Sequence, residues 1–252
     1  KADQIHVLSN VCTHRGNIVC EHAGKANKLV CNYHGRRWKL DGSFEHMPEF
    51  DKVENFPTEA DNLPKVPSNQ WGPFLFTAID PAFDFQKIFE PLERRVGFLP
   101  LHEFRYDETR SKDYLVNANW ALYIDNYLEG FHIPFVHPDL SQTLDYGAYA
   151  TETYDYVNLQ IGYAQGGEDT FDLPPDHPDY GQNVGGYYFY IFPNLTLNFY
   201  TWGLSLNVIR PISPDLCKVS FRSYVWDESK LGRGAGALLD KVEREDEFVV
   251  EN

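Results

Sequence analysis

Residues 11–42 read VCTHRGNIVCEHAGKANKLVCNYHGRRWKLDG and carry two short pairs of cysteine and histidine. The first pair is Cys12-x-His14 and the second is Cys31-x-x-His34, with sixteen residues between His14 and Cys31. Thiolates and imidazoles are common metal ligands, and two tight loops with one pair each can form a four-ligand cage. The stretch therefore predicts a metal site built from Cys12, His14, Cys31 and His34.

Two kinds of metal centre accept these four ligands. A structural zinc site usually takes its ligands as C-x2-4-C and H-x3-5-H pairs. A Rieske [2Fe–2S] cluster has two thiolates on one iron and two imidazoles on the other, so one Cys and one His from each loop favours the cluster. Cys20 and Cys217 lack such neighbours and are interpreted as ordinary small residues, because four cysteines are too few for a disulfide scaffold in 252 residues.

A second group of ligand types lies in residues 120–138, WALYIDNYLEGFHIPFVHP. At helical spacing one side of this stretch is apolar, with Trp120, Ile124, Tyr127 and Phe131. The other side carries Asp125, Glu129 and His132. Pro134 is expected to end the helix after His132, so that the chain turns and can bring His137 round beside His132. The stretch therefore groups two carboxylates and two histidines, which are side chains that commonly bind metal.

A further carboxylate stands out in residues 233–252, RGAGALLDKVEREDEFVVEN, which predict a helix. One face of the helix carries Leu239, Val242, Asp246, Val249 and Val250. Asp246 stands where the pattern requires an apolar residue, and a buried carboxylate is costly unless it is paired or binds metal. Glu243 lies near the same face and is the rival candidate, whereas Glu245 and Glu247 are interpreted as partly exposed acids.

Composition and charge exclude other classes of protein. The formal net charge of −15 argues against nucleic-acid binding, because phosphate contacts need clustered Lys and Arg. The sequence contains no apolar run near the roughly 18–20 residues of a membrane span, and no signal peptide opens it, so a soluble cytoplasmic protein without membrane contact is expected. The many aromatic, Pro and Gly residues indicate turns and β-structure.

These stretches together resemble the Rieske non-haem iron oxygenases, and in particular the alpha subunits of terminal oxygenase components. Asn17 and Tyr33 stand where the electron-transport Rieske proteins carry an extra Cys on each loop. Residues 126–138, NYLEGFHIPFVHP, resemble the family's iron-binding segment. The run EDE followed by VVE, within residues 245–251, resembles its last ligand helix.

The resemblance implies two cofactors in each chain. A [2Fe–2S] cluster is implied on Cys12, His14, Cys31 and His34. A mononuclear Fe(II) is implied on His132, His137 and Asp246. In the family the acid at the position of Glu129 is a bridge between His132 and His34 of a neighbouring subunit, which also implies a homotrimer. Asp125 and Asn126 match residues that precede the bridge and are expected to order the ligands.

The expected fold is α+β and has two parts. Residues 1–80 predict an all-β Rieske domain, with YHGRRWKLDG as a hairpin and WGPFLFTAIDP as a closing strand. A linker rich in Asp, Pro and Phe is expected to run to about residue 90. Residues 81–252 predict a catalytic domain in which helices cover an antiparallel sheet, of the helix-grip type that the resemblance implies. Compared with the family's pattern, the chain is expected to be truncated at both ends.

The implied function is that of a terminal oxygenase that takes electrons from a separate reductase or ferredoxin. NAD(P)H is needed only indirectly through that reductase, and O2 is a co-substrate. Glu129 replaces the usual Asp, as in the branch that resembles carnitine and choline monooxygenases, so a small quaternary ammonium substrate is expected. The alternatives are a ring-hydroxylating oxygenase of an aromatic acid or hydrocarbon, and a Rieske electron carrier without oxygenase activity.

Aromatic rings could hold such an ammonium group by cation–π attraction. The candidates in the sequence are Phe192, Phe199, Tyr200 and Trp202. Ordinary core packing is the competing interpretation of the same four residues.

Overall fold

The chain divides into two units, Lys1–Phe83 and Asp84–Asn252. The computed structural model describes residues 4–166 and 169–252. Across these ranges no helix has both the length and the apolar character needed to cross a membrane. The predicted α+β class is confirmed, because strands and turns dominate the first unit and helices accompany an antiparallel sheet in the second.

The first unit contains a three-stranded antiparallel sheet in the order β1-β2-β3. Its strands are β1 (Leu29–Val30), β2 (Arg37–Trp38) and β3 (Phe44–His46). The predicted hairpin forms between β2 and β3, and its turn requires glycine at position 42. Gly42 has φ +85°, and a Cβ there would lie 2.8 Å from Leu8 Cδ2. A buried cluster of this unit includes two of the predicted ligands and contains Cys12, Val19, Cys31, Trp38 and Leu63.

The predicted closing strand is present in part, as the second strand of a further hairpin. β4 (Ser68–Trp71) and β5 (Phe74–Thr77) pair antiparallel, with Trp71 opposite Phe74. The strand prediction was wrong at Gly72–Pro73, because Gly72 adopts φ +53° and turns the chain back.

The second unit is built on a seven-stranded antiparallel sheet in the order β6-β12-β11-β10-β9-β8-β7. Its strands are β6 (Arg105–Val116), β7 (Ala150–Thr153), β8 (Val157–Tyr163), β9 (Val184–Ile191), β10 (Leu195–Tyr200), β11 (Gly203–Ser213) and β12 (Leu216–Val225). Most residues of the central strands β9 and β10 are buried, which explains why their sequences are apolar or aromatic almost throughout.

Five helices are described in this unit. They are α1 (Gln86–Val96), α2 (Trp120–Tyr127), α3 (Ile133–Val136), α4 (Pro138–Thr143) and α5 (Leu239–Glu251). The predicted linker to about residue 90 was wrong, because α1 begins at Gln86. Arg95 of α1 is 4% exposed, and its Nη1 lies 2.5 Å from both carboxylate oxygens of Asp179, so α1 is held by a buried ion pair.

The helix α2 is fixed between the sheet and α5. Tyr123 and Ile124 of α2 belong to a buried cluster with residues of β11 and β12, among them Ile209 and Val219. Val250 of α5 packs against the same cluster. Because α2 and α5 share one core, the polar side chains that these helices direct toward each other are held at fixed distances.

Candidate metal centres

The two Cys/His loops have the same backbone path. In the first loop Cys12 O accepts from Gly16 N at 3.0 Å, and Cys12 N donates to Asn17 O at 2.8 Å. In the second loop Cys31 O accepts from Gly35 N at 3.0 Å, and Cys31 N donates to Arg36 O at 2.9 Å. Gly16 and Gly35 have φ of +71° and +70°, which only glycine adopts without strain. The repeated glycine therefore closes each loop four residues after its cysteine.

The four predicted ligands pair by type across the loops. The thiols of Cys12 and Cys31 are both buried, and each perturbs the pKa of the other. The rings of His14 and His34 lie 4.8 Å apart. His14 Nδ1 is buried and has no hydrogen-bond partner within residues 4–166 and 169–252. A thiol pair beside an imidazole pair with an unpartnered nitrogen fits a [2Fe–2S] cluster with two ligands of one type on each iron.

The surroundings favour the ligand forms of Cys31 and His14, whereas burial and the neighbouring Cys31 raise the pKa of the Cys12 thiol. Although burial alone raises the pKa of Cys31, hydrogen bonds from the Tyr33 backbone, Cys12 and Asn17 lower it below the ordinary value. Burial and the nearby His34 lower the pKa of His14. Thiolate sulfur and neutral imidazole are the forms that bind metal.

The first histidine of the second centre lies outside the helix that precedes it. Asn119 caps α2 by accepting from Ala121 N at 2.9 Å, but α2 ends at Tyr127. Glu129 then accepts from the backbone N–H groups of Phe131 and His132, which holds these residues in a turn.

The predicted continuation of the helix to His132 was therefore wrong. Phe131 is 75% exposed instead of packed on the apolar face. Pro134 does not end α2 but lies at the start of α3, where its missing N–H costs nothing.

The two histidines and Asp246 converge. His137 Nε2 lies 3.0 Å and His132 Nε2 lies 3.5 Å from Asp246 Oδ1. Among the described residues, these three form the one group of metal-ligand side chains whose donor atoms all lie within 4.8 Å of one another. Two ligands at right angles, each about 2.1 Å from a metal ion, would be about 3 Å apart. The three side chains therefore fit a mononuclear iron held on one face.

Both histidine rings are oriented by carboxylates on their other nitrogen. His132 Nδ1 lies 2.5 Å from Glu129 Oε1, and His137 Nδ1 lies 2.8 Å from Glu245 Oε2. A carboxylate at Nδ1 keeps the proton there and leaves Nε2 free to bind a cation. Burial alone would lower the pKa of His137, but its hydrogen bonds to Asp246 and Glu245 raise it.

The contacts between α2 and α5 distinguish Asp246 from Glu243, the other candidate ligand. Asn126 Nδ2 donates to Asp246 Oδ1 at 2.7 Å, and Tyr123 OH donates to Glu243 Oε2 at 2.7 Å. On each helix the two side chains are three residues apart, so they lie on the same face of that helix. Asp246 meets the histidines, whereas Glu243 meets Tyr123 and is not among the converging ligands.

Only one of the two residues that were expected to order the ligands contacts one of them. Asn126 contacts Asp246 directly. Asp125 is exposed on α2, and no hydrogen bond from its side chain to a ligand is found in the described part of this chain. The ordering role expected for Asp125 has no contact here to support it.

Comparison with known proteins now defines the family. Residues 101–252 match the family model "Ring hydroxylating alpha subunit (catalytic domain)", and residues 1–57 match "Rieske [2Fe-2S] domain". The chain belongs to this oxygenase family. It therefore joins a Rieske domain to a ring-hydroxylating alpha-subunit catalytic domain.

Individual relatives are similar over part of their length. Choline monooxygenase, chloroplastic, of Beta vulgaris is 27% identical over 99% of this chain and 56% of its own length. The oxygenase subunit of carnitine monooxygenase from Acinetobacter baumannii is 30% identical over 71% of this chain and 49% of its own. The chain thus spans about half the length of these relatives.

A solved structure of a quaternary ammonium Rieske monooxygenase, described in connection with carnitine oxidation by gut microbiota and inter-subunit electron transfer, shares the fold. It superposes with a TM-score of 0.69 at 23% identity, covering 97% of this chain and 67% of its own.

Glu245 is the residue of this oxygenase chain that sequence reasoning missed. Its position next to Asp246 turns it about 100° around α5, away from the apolar face, so periodicity carries no signal for it. The acidic run EREDE, residues 243–247, was the only hint. Its contact with His137 depends on where α3 and α5 meet, which no local pattern reveals.

Removal of the Glu245 carboxylate is expected to weaken iron binding at the second centre. In Glu245→Ala, His137 loses its Nδ1 partner, and loss of such a partner typically costs about 10–100-fold in metal affinity. A chelator titration of the holoprotein, with iron followed by mass spectrometry, measures this change. Glu247→Ala on the same helix is the control, and equal iron affinity in the two variants would contradict the assigned contact.

A small cavity adjoins the three converging side chains. It has a volume of about 90 Å³ and is lined by four tyrosines, Tyr127, Tyr149, Tyr188 and Tyr200. Its acidic residues are Glu129, Glu243 and Asp246, and no Lys or Arg in the described residues lines it. A larger cavity of about 480 Å³ lies alongside, contains none of the converging side chains, and shares Leu239 and Glu243 with the small one.

Only one of the four aromatic candidates lines this small cavity. Tyr200 does so, whereas Trp202 stacks on Tyr200 at 5.4 Å and lines the larger cavity. Phe199 is completely buried and packs edge-to-face on Phe189. Phe192 is 57% exposed. Phe192 and Phe199 are therefore not part of either cavity wall.

Proposed function

We propose that the chain is part of a terminal oxygenase component that hydroxylates or oxidatively demethylates a small organic substrate. The observation that carries the proposal is the convergence of His132, His137 and Asp246 beside a cavity. A simple electron carrier has no use for such a three-ligand site with open positions. In this proposal the cluster ligands are Cys12, His14, Cys31 and His34. The three converging side chains are the ligands of Fe(II).

The protein side chains would orient the reacting partners. When bound, the cluster supplies electrons singly and the mononuclear iron activates dioxygen. In monooxygenation one oxygen atom enters a substrate C–H bond and the other leaves as water, with two electrons from the reductase and two protons. Glu129 and Glu245 hold both histidine rings with Nε2 toward the metal, and Asn126 holds the Asp246 carboxylate.

A quaternary ammonium substrate is supported by charge. The cavity wall contains three acidic residues and, among the described residues, no basic one that could pair with the carboxylate of an aromatic acid. The named activities of the choline and carnitine relatives support the same substrate class.

Electron supply and assembly complete the proposal. We propose a separate reductase or ferredoxin as electron donor, and a homotrimer in which Glu129 links His132 to His34 of a neighbouring subunit. Sedimentation of the holoprotein tests the trimer, and a fully active monomer would exclude it. A cytoplasmic location stays a prediction.

A substrate panel tests the function. Purified holoprotein is incubated with a reductase, NADH, dioxygen and either quaternary ammonium compounds or aromatic acids and hydrocarbons. Formaldehyde, aldehyde and phenolic products are followed by mass spectrometry. We expect products from the ammonium compounds. Turnover of aromatic compounds alone would support the ring-hydroxylating oxygenase instead. About two irons per chain without any turnover would support the electron carrier.

A further inference from the structure

Arg36 is a buried cation in the unit that holds the proposed cluster ligands. It is 2% exposed and comes two residues after His34. Its backbone carbonyl accepts from Cys31 N at 2.9 Å, so the residue belongs to the second Cys/His loop. A buried guanidinium costs stability unless it is well paired, and this side chain is not among the proposed metal ligands.

Aromatic rings enclose the guanidinium. Three ring centroids lie between 5.1 and 5.8 Å from its Cζ, those of Phe44, Phe56 and Trp38. Cation–π attraction stabilises a cation among such rings. Trp38 is completely buried and packs in one cluster with Cys12 and Cys31. Apolar protein therefore surrounds both the cation and the thiols, and solvent screens the charge weakly.

One acid pairs with this cation and also connects the two Cys/His loops. Arg36 Nη2 donates to Asp61 Oδ1. The backbone carbonyl of Asp61 accepts from Thr13 Oγ1 at 3.0 Å, and Thr13 belongs to the first loop. Asp61 therefore holds the guanidinium at a fixed place beside both loops.

The charge of Arg36 reaches a proposed cluster ligand. Burial is the main cause of the lowered pKa of His14, and the positive charges of His34, Arg15 and Arg36 add to it. A charge that acts on His14 also acts on electrons of a cluster that His14 holds, because both interactions follow from the same field.

Resting on the proposed [2Fe–2S] cluster, we infer that the buried charge of Arg36 raises the reduction potential of that cluster. Reduction adds one electron, which the proposed reductase or ferredoxin supplies. A fixed cation nearby stabilises the added negative charge. Asp61 fixes the guanidinium and offsets part of its effect. Arg36 therefore makes the cluster easier for its donor to reduce.

The test measures the reduction potential of the cluster without substrate or turnover. Anaerobic holoprotein is titrated against redox dyes, and both oxidation states are followed by the visible absorption of the cluster. Arg36→Gln removes the charge. At the wild-type midpoint potential, the ratio of reduced to oxidised cluster should then fall about tenfold, which equals about 59 mV for a one-electron couple. Arg36→Lys keeps the charge and should stay close to the wild-type ratio.

Two further variants separate charge from structural support. Arg37→Gln makes the same change of charge one residue along, but Arg37 is exposed and screened by water, so the potential should change little. Asp61→Asn breaks the same ion pair as Arg36→Gln but removes the opposite charge, so it should raise the potential. Loosening of the loops would instead shift the potential of both variants in the same direction.

The outcomes distinguish this inference from the proposed function. An intact cluster with unchanged potential in Arg36→Gln, or an equal shift in Arg37→Gln, would overturn the role of Arg36. If Arg36→Gln does not assemble a cluster, Asp61→Asn decides, and an unchanged or lower potential in that variant would also overturn it. A wild-type protein without [2Fe–2S] absorption would instead overturn the cluster on which the proposed function rests.

Discussion

Asp246→Ala is expected to yield a protein that keeps its two cluster irons and loses the third. Asp246 Oδ1 lies 3.0 Å from His137 Nε2 and provides the only carboxylate of the converging group. Its removal leaves two histidines, which are too few to hold Fe(II) in a three-ligand facial site. Iron analysis should fall from about three to about two per chain, with unchanged cluster absorption and no product formation.

A variant of Glu243, the other candidate ligand, provides the matched comparison. Glu243→Ala removes a carboxylate one turn earlier on α5 and should retain the third iron, since Glu243 bonds to Tyr123 and not to the histidines. The reverse result, with iron lost from Glu243→Ala and kept by Asp246→Ala, would exchange their roles.

The proposed metal centres could be predicted from the sequence because their candidate ligands lie in short segments. Cys12 and Cys31 each begin a loop that a glycine closes four residues later, so spacing alone places the donors. The third carboxylate was recognisable because Asp246 interrupts an apolar helix face. In both cases the prediction uses a local pattern, whereas the meeting of the segments depends on the fold.

Helix ends could not be predicted to the same extent. The apolar spacing continues from Trp120 to Phe131, yet α2 stops at Tyr127. The Glu129 carboxylate competes for the backbone N–H groups of Phe131 and His132, and a periodic pattern does not report such competition. The helix α1 was missed for the related reason that Pro and Asp precede and interrupt it.

The cavity wall illustrates another limit of sequence patterns. Along β10, Asn198 and Tyr200 line the small cavity, whereas Phe199 between them points to the other side of the sheet, as alternation requires. Both sides of β10 are buried, although Thr196 and Asn198 alternate with Leu195 and Leu197 and make one side more polar. The alternation separates the two sides of the strand, and the placement of α2 and α5 determines that the more polar side meets the cavity.

Glu129→Gln is expected to reduce turnover about 100-fold while both metal centres stay loaded. A carboxylate can accept an N–H bond from His132 and a second from His34 of a neighbouring subunit, whereas an amide has one accepting oxygen. The single oxygen of Gln can keep the bond to His132 Nδ1, which lies 2.5 Å from Glu129 Oε1, so iron should be retained. The link to the cluster ligand would be lost.

The measurement separates this loss from damage to either centre. Holoprotein is reduced without dioxygen, mixed with substrate and dioxygen, and followed through the visible absorption of the cluster. In Glu129→Gln the reduced cluster should persist about 100-fold longer than in the wild type. Asp155→Asn, which removes an exposed carboxylate paired with Lys87, should behave as wild type. Reoxidation and turnover at wild-type rates in Glu129→Gln would exclude the bridge.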